Sequence, residues 1–224
     1  MTVSLSESNS YCRRLARSTG KNFYYSFLGL PKTLRQEMCV LYAFLRVTDD
    51  IGDDETRSIA ARKATLQSWT RALEESLDGT IADHQIFPAL MALIESGKLP
   101  PRYLYEVIDG VEMDLEPRRY STFSELEHYC YHVAGAVGLC CIHLWGFEDE
   151  AALEPAIACG TAFQLTNILR DLSEDIDRNR VYLPQEDLER FGYTEDDLKH
   201  RVIDERFRAL MRFEVDRAKR YYLQ

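Results

Sequence analysis

The chain has 224 residues, 46% of them apolar and 29% charged, with 11 glycines and 7 prolines. That is enough to bury a core, and it excludes disorder, collagen and low-complexity arrays. Acidic residues outnumber basic ones by 37 to 27, and the net charge of −10 sets up a field that repels phosphate backbones, which argues against a nucleic-acid partner.

The N-terminal stretch MTVSLSESNSYCRR has neither the basic start nor the apolar run of an export signal. Residues 38–47 are almost continuously apolar, as in a buried helix, with Pro31 placed to open it. Residues 60–77 are amphipathic. Residues 83–95 form a second such segment, ended by Gly97 and the Pro100-Pro101 pair, and helical spacing resumes over 102–115. Two long apolar-rich helices are predicted at 124–145 and 154–175, around a loop at 146–150. The longest mostly apolar run, 133–147, contains His143 and is too short to span a bilayer, so no transmembrane segment is expected. Residues 180–184 read as an extended connection, because the position before a proline disfavours the helical region. A last amphipathic helix occupies 204–222. The pattern predicts one all-α domain over 1–224 with about eight to ten helices. Its final helix reaches Gln224 without a stop signal, as though the chain were cut. The six cysteines, Cys12, Cys39, Cys130, Cys140, Cys141 and Cys159, show neither a CxxC pair nor zinc-like spacing, so reduced thiols in a cytoplasmic protein are expected.

Two acidic rows carry the chemistry. Asp49 and Asp53 stand one helical turn apart, and Tyr42 and Arg46 continue the same face upward. Like charges at this spacing destabilise a helix by a few tenths of a kcal/mol, roughly, so a cation is expected to offset them. The plain alternative is a solvated acidic helix end, which suits Asp54 and Glu55. In the second row Gln164, Asn167, Asp171 and Asp175 step by three, four and four beside the apolar face of Ala158, Ala162, Leu165 and Leu169. No charge falls between 156 and 169, so this polar row is expected to line a cavity. Two such rows facing one another would gather carboxylates suited to Mg2+, which keeps waters and shares its remaining positions with substrate phosphates. Arg46, Arg170, Arg180 and Tyr182 lie close enough in sequence to add phosphate contacts. For each arginine the alternative is an ordinary ion pair within its helix, Arg46 with Asp50 above all.

Three stretches, YAFLRVTDDIGDD (42–54), YCYHVAGAVG (129–138) and FQLTNILRDLSEDIDRNRVYLP (163–184), occur in that order. In them the chain resembles the squalene and phytoene synthases, which join two prenyl diphosphates head to head on the all-α isoprenoid-synthase fold. The likeness runs from about Tyr11 to Gln224. It implies that Asp49, Asp53, Asn167, Asp171 and Asp175 hold Mg2+, with Mn2+ as an alternative ion. It also makes Tyr42, Arg46, Gln164, Arg170, Arg180 and Tyr182 diphosphate contacts. Tyr129, Val133, Ala134 and Gly138 would line the hydrocarbon cavity, with Tyr129 counted among the catalytic residues. Gly135 and Gly138 then leave room for prenyl chains, or else serve close helix packing. Lys21 replaces the small hydroxyl residue that the family commonly has before the position of Phe23, and it is counted with the substrate-binding candidates. Family members usually continue through several more helices beyond the position of Gln224.

The implied reaction ionises one diphosphate to an allylic cation, which the second substrate attacks to give a cyclopropyl intermediate and then a C30 or C40 hydrocarbon. Farnesyl diphosphate is the favoured substrate, and NADPH enters if the final step is reductive. Aromatic side chains such as Phe23, Tyr42 and Phe163 would shield the cation from water. Release of the product implies peripheral membrane contact, and the oligomeric state is not legible. The alternatives are a terpene cyclase, a chain-elongating prenyltransferase, and a prenyl-lipid-binding or assembly protein of the same fold that has lost catalysis.

Overall fold

The computed structural model describes residues 3–224, apart from the side chain of Lys21. Among these residues it contains twelve α-helices, one π turn, one 3-10 turn and no strand, as the all-α reading expects. No helix among them is long and apolar enough to cross a membrane. The chain divides into two compact units, Met1–Leu115 with Cys140–Glu148, and Glu116–Leu139 with Asp149–Gln224.

The first unit holds α1 (Leu5–Thr19), α2 (Lys21–Phe27), α3 (Lys32–Asp53), α4 (Ile59–Leu77), α5 (Phe87–Glu95) and α6 (Pro101–Met113). Helix α1 is absent from the periodicity reading, although a capping box marks its start. The Ser4 hydroxyl accepts from the Glu7 amide at 3.3 Å while the Glu7 carboxylate accepts from the Ser4 amide at 2.9 Å. Helix α3 opens after Pro31, as predicted, and buries Met38, Leu41, Phe44, Thr48 and Gly52. Trp69 fixes α4 against it, with its ring stacked on Phe44 at 5.6 Å and its indole N–H donating to the Thr48 hydroxyl at 3.0 Å. That hydroxyl donates in turn to the Phe44 carbonyl at 2.9 Å, so this buried polar group is fully used. Helix α5 starts four residues later than its predicted position, because the chain turns at His84 and Pro88 sets the first helical turn.

The second unit holds α7 (Phe123–Cys130), the π turn (Tyr131–Gly135), α9 (Leu153–Asp177), α10 (Gln185–Arg190), α11 (Glu195–Lys199) and α12 (Glu205–Tyr222); α8 (Ala136–Trp145) begins in it and ends in the first. The single helix predicted over 124–145 is thus interrupted by a π turn, which packs against α9. A side chain added at Gly160 would run into the backbone of Ala134 and Gly135, and one added at Gly138 would lie 2.6 Å from the Ala156 carbonyl oxygen. Arg217 of α12 ties this unit together. It donates to Asp187 at 2.6 Å and Glu214 at 2.8 Å, and its guanidinium lies 4.0 Å from the centre of the Phe123 ring. Removing one partner of such a buried set leaves an uncompensated charge.

Alanine is the better helix former, yet Gly160→Ala is expected to cost about 1–3 kcal/mol, because backbone rather than a movable side chain fills the space. Urea unfolding of the variant checks this, and an unchanged or higher midpoint would contradict the packing described.

Candidate active site

On α3 the residues Tyr42, Arg46, Asp49 and Asp53 share one face. Tyr42 sits at the joint between α1 and α2, its phenol oxygen 3.3 Å from the Thr19 hydroxyl and its ring 6.2 Å from Phe23. Gly20 allows this approach, since a Cβ there would overlap the tyrosine ring. The anticipated ion pair between Arg46 and Asp50 does form, and Arg46 Nη1 also lies 3.7 Å from Asp49. Burial and then the Asp53 carboxylate push the Asp49 carboxyl up to about 6, against the pull of Arg46. Because 55% of the Asp49 side chain stays open to water, the burial contribution is tempered and the repulsion from Asp53 is the steadier cause.

On α9, Gln164, Asn167, Asp171 and Asp175 form the expected row, each half-buried rather than fully buried. Asn167 reaches Gln164 at 3.5 Å, the long limit of a hydrogen bond. The two acids behave differently. Arg170 grips both oxygens of Asp171, at 2.7 and 2.5 Å, and holds that carboxyl below its ordinary range. Burial pushes Asp175 up to about 6, with Arg180 opposing and Asp171 adding to the rise. The Arg180 amide donates to the Asp175 carbonyl at 2.7 Å as the chain leaves α9.

That exit is held by Arg119, which sequence reasoning missed. Arg119 donates to the carbonyl and side-chain oxygens of Asn179, both at 3.1 Å, and to Glu195 at 2.6 Å. Asn179 has φ 58°, a left-handed conformation that asparagine tolerates better than most residues. Residues 180–184 lie outside any helix, as a connection should, and 181–184 are buried, which the sequence reading does not anticipate. Tyr182 stacks on Tyr129 with ring centres 5.3 Å apart and on Tyr120 at 6.1 Å. Tyr120, also missed, has no local signature because its partners lie elsewhere in the sequence.

Several other expectations are altered. Phe23 and Phe163 are 64% and 56% exposed, so neither is enclosed, and the buried aromatic group is Tyr120, Tyr129 and Tyr182. Val133 and Ala134 lie half-buried on the π turn. The room left by Gly138 is taken by the Ala156 carbonyl, so helix packing rather than space for hydrocarbon accounts for that glycine. Lys21 lies outside the residues whose side chains are described. None of the six cysteines is in a disulfide.

Among the described residues no three carboxylate, imidazole or thiol groups gather into a cage made by protein alone. Each row instead offers carboxylates at i and i+4, Asp49 with Asp53 near the end of α3 and Asp171 with Asp175 towards the end of α9. Mg2+ is characteristically held by one or two carboxylates, with waters and substrate phosphates completing its octahedron, so this hard-oxygen donor set fits it.

Residues 16–224 match the squalene/phytoene synthase family. The 15-cis-phytoene synthase of Synechococcus elongatus is 40% identical over 99% of this chain and 75% of its own length. The phytoene synthase of Arthrospira platensis is 40% identical over 97% of the chain and 74% of its own length. Among solved structures, a squalene synthase from Alicyclobacillus acidocaldarius superposes with a TM-score of 0.90 at 32% identity, covering 97% of this chain and 81% of that one. A dehydrosqualene synthase crystallised with a ligand gives 0.87 at 32% identity, covering 97% and 75%. The chain belongs to the squalene/phytoene synthase family.

Proposed function

We propose that the protein joins two C20 prenyl diphosphates head to head, through a cyclopropyl diphosphate, to a C40 hydrocarbon of the phytoene type. The observation that carries this reading is the pair of acidic rows at the ends of α3 and α9, in a family whose 40% identical relatives are called phytoene synthases. The sequence-based preference for farnesyl diphosphate rested on no single residue, and those names turn the balance toward the longer substrate. Asp49 and Asp53 on α3, and Asn167, Asp171 and Asp175 on α9, are the proposed holders of Mg2+ or Mn2+. The bound ions would supply charge neutralisation and Lewis acidity to the leaving diphosphate.

The remaining roles fall to the chain itself. Arg170 is 66% exposed and forms its ion pair with its neighbour in sequence, so it can turn from Asp171 to phosphate oxygens as an ion takes over that carboxylate. Arg180, beside Asp175, and Arg46, beside Asp49, add fixed positive charge where pyrophosphate departs, and this favours ionisation. The buried rings of Tyr129, Tyr182 and Tyr120 offer apolar faces that exclude water and attract a carbocation, by about 2 kcal/mol when dry. Loss of a proton to pyrophosphate closes the cyclopropane; the remaining diphosphate then leaves and the rearranged cation loses a second proton, so a phytoene-type product needs no reductant. The six cysteines, none in a disulfide, fit a cytoplasmic setting. The insoluble product calls for delivery at a membrane surface.

Incubation of the chain with Mg2+ and either geranylgeranyl or farnesyl diphosphate, with and without NADPH, is read by lipid mass spectrometry. A C40 hydrocarbon from the C20 substrate without NADPH is expected, and a C30 product that requires NADPH would contradict the phytoene assignment. Asp49→Asn or Asp175→Asn should lower kcat at least about a hundredfold at fixed Mg2+; an unchanged rate removes them from the metal site.

A pH dependence follows from the same two carboxyls. Both have folded-state pKa values raised from 3.8 to about 6, and both must lose their protons to hold a cation. The Mg2+ concentration giving half-maximal rate should therefore fall as pH rises from about 5 to about 7, then level off. A flat requirement over that range would count against these ligands.

A further inference from the structure

The end of α3 contains Asp49, Asp50 and Asp53 and no basic residue, yet one arginine reaches it from another helix. Arg62, near the start of α4, is 9% exposed and donates from Nη1 to the Gly52 carbonyl at 2.6 Å. Its Nε is buried without a partner among the described residues. A buried cation near the N-terminus of α4 opposes the dipole of its own helix, so the compensation for its burial comes from the end of α3, through the Gly52 carbonyl and the nearby Asp54 carboxylate. The last four carbonyls of a helix lack intrahelical donors, and Gly52 carries one of them.

The bond also fixes an orientation. Thr48 and Gly52 form one stripe along α3, one turn apart, and α4 holds both, through Trp69 on the Thr48 hydroxyl and Arg62 on the Gly52 carbonyl. Val111 of α6 closes on the same glycine, since a Cβ there would lie 2.5 Å from Val111 Cγ1. Asp49 and Asp53 are each one residue further along, about 100° around the helix. We infer that Arg62 is a positioning residue for the α3 metal row, holding the final turn helical so that Asp49 and Asp53 project together. The inference rests on the reading of those two aspartates as cation ligands.

The test is Mn2+ titration of the purified chain, followed by electron paramagnetic resonance without substrate, in an Asp171→Asn/Asp175→Asn background that removes the carboxylates of the α9 row. Arg62→Met is expected to weaken Mn2+ binding about tenfold, the range found when groups supporting metal ligands are removed. Arg62→Lys, which keeps a donor, should restore it to within about twofold, and Arg57→Met, which removes a nearby exposed cation, should leave it unchanged. If methionine at this buried site prevents folding, Arg62→Gln carries the same expectation of weakened binding. A variant that lowers the melting temperature but binds Mn2+ like its parent reduces Arg62 to a purely structural part and overturns the inference. If Asp49→Asn itself leaves Mn2+ binding intact, the ligand reading fails first, and that result is separable because it does not depend on Arg62.

Discussion

Carboxylates crowd the C-terminal ends of two helices, where the backbone already presents about half a negative charge. Asp49, Asp50 and Asp53 lie towards the end of α3, and Glu174, Asp175 and Asp177 in the last turn of α9; neither last turn carries a basic residue of its own, although Arg178 and Arg201 pair with Glu174 and Asp177. Stability alone would place such residues at helix starts, as Glu7 is placed in the capping box of α1. Burial first, and then neighbouring carboxylates, raise the pKa values of Asp49 and Asp175. On the proposed reading, a cation would relieve Asp49 and Asp175, the two whose carboxyls are raised, while Asp50, Asp171, Glu174 and Asp177 already have arginine partners. Local rules of helix stability are broken where function requires it.

Arginines recruited from elsewhere contain the strain. Arg62 meets the end of α3 and Arg119 the turn after α9, each bonding a backbone carbonyl beyond or within the acidic turn. Such contacts tie down the backbone while leaving the working carboxylates uncovered. Arg170 and Arg46 instead touch the carboxylates directly, Arg170 from an exposed position and Arg46 from a half-buried one. The same division between scaffold and site appears in the aromatic residues. Trp69 and Phe44 lock α3 to α4, whereas Tyr120, Tyr129 and Tyr182 gather their rings beside the extended segment that follows the second acidic row.

Much of this was legible in the sequence. Apolar periodicity located α3, α4, α6, α9 and α12 to within a few residues, and the steps along each acidic row placed its members on one face. The π turn was not legible, because it changes the hydrogen-bond register inside a glycine- and alanine-rich helix without disturbing the apolar pattern. Gly138 illustrates the limit of composition: a missing side chain signals closeness to something, and only the position of the Ala156 carbonyl shows what. Arg62, Arg119 and Tyr120 escaped because their roles depend on partners 9 to 76 residues distant. Helix α1 was legible in principle, through Ser4 and Glu7, but periodicity alone passes over a helix whose apolar face is narrow.

If Asp49 and Asp175 are held at an electrostatic cost until a divalent cation binds, thermal unfolding of the chain beside an Asp49→Asn/Asp175→Asn variant will read that cost. Without metal the variant should melt a few degrees higher, since each removed charge relieves roughly 0.3–1 kcal/mol of unfavourable helix-end interaction. With Mg2+ and inorganic pyrophosphate the order should reverse, because only the parent chain can bind them. A variant less stable than its parent in the absence of metal, or equal stabilisation of both by Mg2+ and pyrophosphate, would contradict the account.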